Sequence, residues 1–298
     1  MKNIIQINNL SFGYQKNNPI LKNININVPK GSIYGFIGPN GAGKSTTMRL
    51  ISGIESSDQE VLIFEESIKS QIPNIFHKIG ALVESPTLYY HLSGEDNLKY
   101  IAISRGLSFD KIEPVLELVD LLHAKKAKVK RYSLGMKQRL AIAMSIIHEP
   151  ELLLLDEPVN GLDPTGMIEI RELLIKINKE KNTTIFISSH LLSEIEKMCT
   201  HIGIIAKGEI KFEGTIQELS NKFMSYQIEI QTDISEEVLQ KLNSNQLDFE
   251  VNDHKLIFKV NGKNEIPELI KKLVQLDIPI YETKKNGGLE EWFLQITN

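Results

Sequence analysis

The chain has 298 residues, a formal net charge of −4 and a charged fraction of 24%. That length holds one large domain, or one of about 200 residues with a smaller companion, and nothing in the charge balance points to a nucleic-acid binder. The single cysteine, Cys199, excludes an internal disulfide and reads as a buried, reduced thiol beside Met198 and Ile202, which favours the cytosol.

The chain opens in β. The runs IIQINNL, SFGY and NININV read as strands, with Ile24, Ile26 and Val28 alternating with polar residues. The N-terminus carries one lysine but no continuous apolar stretch, so no signal peptide is expected. Nor does any segment approach the ~18 uninterrupted apolar residues of a membrane span, so a role at a membrane needs another chain to cross it. SIYGFIG is a buried strand that ends in glycine and enters GPNGAGKSTTMRLISG, a glycine-rich loop opening a helix. VLIF and IGALVE are further short strands.

From about 86 to 130 the pattern turns helical: after Leu92, the residues Asn97, Leu98 and Ile101, then Ile112, Val115, Leu116 and Val119, recur at spacings of three and four. Helices and strands then alternate: a helix from about Leu134, strand LLLLD, a helix after Pro164, strand TTIFISS, a helix over Leu191 to Cys199, and strands IGIIA and EIKFEG. That order predicts an α/β domain with a largely parallel sheet over residues 1–219, interrupted by a helical insertion. Residues 220–298 predict a small α+β domain: strands YQIEIQTD, LDFEV and KLIFKV, helices SEEVLQKL and EIPELIKKLVQL, and a terminal helix around LEEWFLQI. No chemical motif stands out there, and Trp292 and Phe293 could anchor a partner or simply pack a core.

Gly38 to Thr46, GPNGAGKST, fits G-x-x-x-x-G-K-S/T in the context that pattern needs, after a strand and before a helix. Its glycines let the amides from about Gly41 to Thr46 point inward, and the helix N-terminus adds its positive end, which makes a phosphate cradle. Gly38, Asn40, Gly41, Ala42, Gly43, Lys44, Ser45 and Thr46 are therefore candidate nucleotide-binding residues. Lys44 would pair with the β- and γ-phosphates, and the Ser45 hydroxyl would ligate Mg2+. The plainer reading is a glycine-rich turn with no ligand. The leucine strand ends in Asp156, a candidate for the Mg2+ shell, and Glu157, a candidate for the attacking water. An acidic strand end before a proline is also an ordinary feature of α/β proteins.

Taken in order, the phosphate loop, the helical insertion, YSLGMKQR, LLLLDEP, NGLDP and SSH resemble the nucleotide-binding subunit of an ATP-binding cassette (ABC) transporter over roughly residues 3–217. The resemblance implies a parallel-sheet P-loop core with an N-terminal antiparallel β region and an inserted helical subdomain. It implies an ATPase using ATP and Mg2+, partnered by a membrane-spanning permease and a second ATP-binding subunit, expected as a homodimer. It places the chain in the cytoplasm, peripheral on the inner face of the membrane. Tyr14 in FGY matches the aromatic that stacks on adenine, or is a strand-end core tyrosine. Asp163 in GLDP matches the loop that crosses to the partner subunit, although a helix N-cap before Pro164 is reason enough for an Asp there. His190 matches the switch histidine that contacts the γ-phosphate, or is structural at a strand end.

In this family the motif Leu-Ser-Gly-Gly-Gln binds the γ-phosphate of the ATP held by the other subunit. Here Ser133 and Gly135 stand in the matching places, while Leu134 replaces a glycine and Met136 the glutamine. A Cβ at 134 restricts the backbone and the loss of Gln removes a polar contact, so the motif reads as altered but working, at some cost in dimer affinity; the alternative is a degenerate half-site. Glu84 stands where most members have Gln and could reach Mg2+ through an oxygen, or be a solvent-facing carboxylate. Glu84 with YSLGMKQR resembles the bacitracin- and lantibiotic-resistance subgroup, which implies export of a peptide antibiotic. An exporter of unrelated cargo is the alternative. A soluble ABC ATPase acting on ribosomes or DNA fits less well, given one cassette and no sustained heptads. A small-molecule kinase would have no use for YSLGM, GLDP and SSH. The family receives a permease helix at its helical insertion, so Leu88, Tyr89 and Tyr90 are candidates for that contact or for internal packing. The run KKAKVKR reads as a solvated face, without the interleaved aromatics of a nucleic-acid site.

Overall fold

The computed structural model describes residues 2–15, 18–83, 88–222, 226–252, 255–260, 264–286 and 289–297. Contacts divide the chain into two units, one reaching to Ile216 and one from Gln217 to Ile296.

In the first unit, β1 (Asn3–Phe12) and β2 (Leu21–Pro29) pair antiparallel. β1 is one strand where the sequence suggested two, because Leu10 and Phe12 stay paired with Ile24 and Leu21 across register shifts. β3 (Ile33–Ile37) leads through the phosphate loop into α1 (Lys44–Ile51), and β4 (Val61–Ile63) with β5 (Glu66–Ser67) completes a sheet of order β2-β1-β4-β5. After α2 (Ile68–Gln71) and β6 (Ile79–Leu82), the chain makes α3 (Gly94–Arg105), α4 (Ile112–Leu118) and α5 (Leu134–Ile146). Then come β7 (Leu152–Asp156), α6 (Pro164–Lys181), β8 (Thr184–Ser189), α7 (Leu192–Met198), β9 (His201–Ala206) and β10 (Glu209–Thr215). The second sheet runs β10-β9-β3-β8-β7-β6, parallel throughout except at β10.

A parallel sheet is covered on both faces, which is why β3, β7 and β8 are buried along nearly their whole length rather than at alternate residues. Ile5, Ile7 and Leu21 from the first sheet join Phe36 and Phe186 from the second, with Met48 of α1, in one apolar cluster. The helices end where local chemistry requires. Ser93 caps α3 by accepting from the Asp96 amide, and Gly106 closes it at φ 64°. The buried thiol of Cys199 is free, and burial pushes it up from its usual range.

In the second unit α8 (Ile216–Lys222) is followed by β11 (Tyr226–Gln231), α9 (Glu236–Ser244), β12 (Phe249–Asn252), β13 (Lys255–Val260), α10 (Glu265–Gln275), β14 (Glu282–Asn286) and α11 (Leu289–Thr297). Its antiparallel sheet has the order β12-β13-β11-β14, a β-α-β-β-α-β chain in the ferredoxin-like arrangement. The sequence offered no sign of β14, ETKKN. Glu282 to Lys285 are all exposed, so no apolar alternation marks them; the strand is held by main-chain pairing to β11, and its charges suit an edge. Among the described residues no helix is long and apolar enough to cross a membrane.

Candidate nucleotide site

Ligands of parallel α/β sheets bind beyond the carboxyl ends of the strands. Here β3, β8 and β7 deliver their C-terminal ends to one edge, with Ile37 beside Ser189 and Asp156 beside Ser188. At that edge lies a cleft of about 590 Å3 lined by Asn40, Gly41, Gly43, Lys44, Ser45, Thr46, Glu157 and His190, together with Ile20 and Asn160. The fold thus brings a loop together with an acidic strand end and a histidine that both lie more than a hundred residues further along the sequence. Gly41 and Gly43 sit at φ 78° and 111°, which side-chain-bearing residues rarely adopt, and this leaves the loop amides free to face an anion.

Lys44 is buried, and its ammonium donates to the carbonyls of Gly38 (2.8 Å) and Pro39 (3.3 Å) while lying 3.7 Å from Glu157 Oε1. The cation is therefore held within its own loop, where phosphate oxygens would compete for it. Glu157 takes up φ 49°, and its amide donates to both Oγ (3.0 Å) and the carbonyl (3.2 Å) of Ser188. His190 Nδ1 lies 2.7 Å from Glu157 Oε2, so a ring N–H there orients the carboxylate. Ser188 Oγ in turn donates to Asp156 Oδ1. The Ser45 hydroxyl and the Asp156 carboxylate are hard oxygen donors that suit Mg2+, which takes one or two protein ligands and leaves the rest to phosphates and water. Among the described residues no three His, Cys, Asp or Glu side chains gather as a separate metal cage. Glu84 lies outside the described residues.

The remaining candidates stand away from that cleft lining. Gly38 packs on β9: a Cβ there would sit 2.4 Å from the Ile205 carbonyl oxygen, and Ala42 beyond it is buried. Tyr14 is half exposed, edge-on to Phe12 at 5.4 Å, and its phenol accepts from Arg49 Nη1 at 2.9 Å. Ser133 caps α5, its Oγ accepting from the Met136 amide at 3.1 Å. Leu134 and Gly135 form the first turn of that helix without positive φ, so the Leu134 Cβ meets no backbone strain there. A Cβ on Gly135 would find only Ser133 Oγ, at 4.0 Å, which keeps the helix end open to close approach. Asp163 caps α6, accepting from the Gly166 amide at 3.2 Å, with Pro164 in the first turn.

Three residues at this edge escaped the sequence reading: Ile20, Asn160 and Ser188. For Ser188 the signal was a hydroxyl closing an apolar strand just before the histidine. Asn160 opens the NGLDP motif, where only Asp163 was given a role, and Ile20 carried no signal.

A glycine-cradled lysine at the head of the helix that follows one parallel strand, with a carboxylate pair at the end of another, defines a P-loop nucleoside triphosphatase. The sequence matches the ABC transporter family over residues 21–160. It is 38% identical to an uncharacterized ABC transporter ATP-binding protein, YhcH, of Bacillus subtilis, covering 100% of this chain and 97% of that one. It is 39% identical to the bacitracin transport ATP-binding protein BcrA of Bacillus licheniformis, covering 99% and 98%. Identity is 47% to the lantibiotic transport ATP-binding protein SrtF of Streptococcus pyogenes, over 70% of this chain and 90% of that one. Among solved structures, cbiO1 of Clostridium perfringens, part of the ABC transporter complex cbiONQ, superposes with a TM-score of 0.69 at 28% identity, covering 83% and 96%. The chain belongs to the ATP-binding subunits of ABC transporters, and it is an ATPase.

Proposed function

We propose that the chain binds Mg-ATP between its own phosphate loop and the signature helix of a second copy, and that hydrolysis drives a separate membrane-spanning permease to export a peptide antibiotic. The observation that carries the catalytic part is the convergence of Lys44, Glu157 and His190 on one cleft. The relatives named for bacitracin and lantibiotic transport support the cargo class.

In this reading the amides of Gly41 to Thr46 and the Lys44 ammonium hold the phosphates, Ser45 and Asp156 hold Mg2+, and Tyr14 stacks on the adenine. Held by the Ser45 hydroxyl and the Asp156 carboxylate, a Mg2+ ion would supply positive charge against the phosphates. Glu157, oriented by His190 and by its anchored amide, aligns and deprotonates the attacking water. Ser133 Oγ and the Gly135 amide, at the positive end of α5, meet the γ-phosphate across the dimer, near Asp163 of the same subunit. Loss of that phosphate removes the contact joining the halves, so the chemical step becomes opening.

The permease would dock against the helical insertion, which would hold the chain at the inner face of the membrane. A groove of about 250 Å3 lined by Leu82, Leu88, Ile101, Ala141 and Met144, with Arg105 and Ser145 as its polar members, lies between that insertion and the core and offers a mixed surface for an amphipathic helix. Leu88 is buried in it, whereas Tyr90 is half exposed and not part of its lining.

Glu157→Gln tests the composite site. Phosphate release should fall by at least ~100-fold while ATP still binds, and light scattering should read a doubled mass only with Mg-ATP. A variant that binds ATP and stays monomeric would remove the ATP-sandwiched homodimer.

A further inference from the structure

Ser188 is fully buried at the end of β8, paired in register with Asp156 of the neighbouring strand. Its hydroxyl makes two bonds at once, donating to Asp156 Oδ1 and accepting the Glu157 amide. Its carbonyl accepts the same amide at 3.2 Å. Glu157 holds a left-handed backbone at φ 49°, a conformation that costs a non-glycine residue free energy unless its surroundings hold it. A buried hydroxyl placed between two consecutive acidic residues is not needed for packing; alanine or valine would fill an apolar parallel sheet at no desolvation cost.

We infer that Ser188 is a positioning residue of the ATPase site: it fixes which carboxylate oxygen Asp156 presents to the metal, and it pins the backbone turn that aims Glu157 at the water. By occupying Oδ1, the hydroxyl leaves Oδ2 as the free ligand oxygen and removes one rotational freedom of the carboxylate. A ligating carboxylate oriented in this way binds its cation in one geometry rather than several. The same hydroxyl acts on both acidic residues, so its loss should disturb metal binding and hydrolysis together. The inference rests on the reading of Asp156 and Glu157 given above.

The test uses the full chain with Ser188→Ala, Ser188→Thr and, as a control on the reading itself, Asp156→Asn. Mn2+ binding in the presence of ATP is followed by electron paramagnetic resonance, ATP binding in EDTA by fluorescence, and turnover by phosphate release. Ser188→Ala should weaken Mn2+ binding and lower kcat by about 10- to 100-fold each, with metal-free ATP binding unchanged, and Ser188→Thr should restore most of both. Should the alanine chain fail to fold, Ser188→Cys preserves the volume with only a weak donor and should show the same two losses. Unchanged Mn2+ binding in Ser188→Ala or Ser188→Cys overturns the inference, even if turnover falls, provided Asp156→Asn loses the metal. If Asp156→Asn also keeps the metal, the assignment of Asp156 has failed, and the role of Ser188 falls with it.

Discussion

At the scale of single residues, the signature motif shows how a substitution is judged by its backbone. Read from sequence, Leu134 trades a flexible glycine for a restricted residue. In the fold it occupies the first turn of α5 with ordinary helical geometry and a 53% exposed side chain, so the restriction is one the helix already imposes. Leu134→Gly should therefore lower stability by under about 1 kcal/mol and leave ATP-dependent dimerisation no tighter. Ser133→Ala should cost about 1 kcal/mol through the lost cap and weaken the dimer as well. Urea midpoints and light-scattering titrations with Mg-ATP report the two effects separately. A dimer tightened by Leu134→Gly would show that a glycine backbone is needed there after all. The phosphate loop, by contrast, was readable as a motif, because its glycines, lysine and hydroxyls fall within nine consecutive positions, although Gly38 packs on Ile205 and Lys44 lies 3.7 Å from Glu157 far along the chain.

Among the elements, the site depends on how helices are tied behind it. Arg171 of α6 and Glu194 of α7 meet at 2.6 Å with both side chains largely buried, and Lys197 adds a second contact to Glu194 at 3.2 Å. This pair links the helix that follows Asp163 to the helix that follows His190. Removing one partner strands a charge, so Arg171→Met should cost about 2 kcal/mol, less than a fully buried pair because Lys197 still serves Glu194. The double variant Arg171→Met, Glu194→Met should cost less than the sum of the singles, by about 1 kcal/mol in thermal unfolding. Additive losses would mean the two helices are joined by packing alone. Two helix starts were legible at this scale, at Leu134 and Pro164, since Ser133 and Asp163 cap within three residues of themselves; the start of α3 at Ser93, capped in the same way, was not read from the helical stretch around it. β14 was not, since an exposed edge strand is defined by its neighbour's main chain rather than by its own side chains. Asn97 escaped in a subtler way: its spacing suggested a helix-face residue, but its side chain is fully buried and binds the amide (2.9 Å) and carbonyl (3.2 Å) of Tyr89.

For the whole molecule, the proposed export function makes a prediction that no isolated subunit can answer. Removing this chain from its host should raise susceptibility to bacitracin- or lantibiotic-type peptides, and Glu157→Gln should fail to restore resistance while wild type restores it. Unaltered susceptibility to every such peptide would move the cargo to another class. The sequence by itself determined the family, the phosphate loop, the acidic pair and the α/β order, because each is written in local spacing or in the apolar period of one element. Only the tertiary structure decided that Lys44 rests on its own loop carbonyls and that His190 meets Glu157. It alone revealed the Ser188 hydroxyl beside two carboxylates and the ferredoxin-like order of the second unit. These are facts of strand register and chain return, which bring together residues that no local pattern connects.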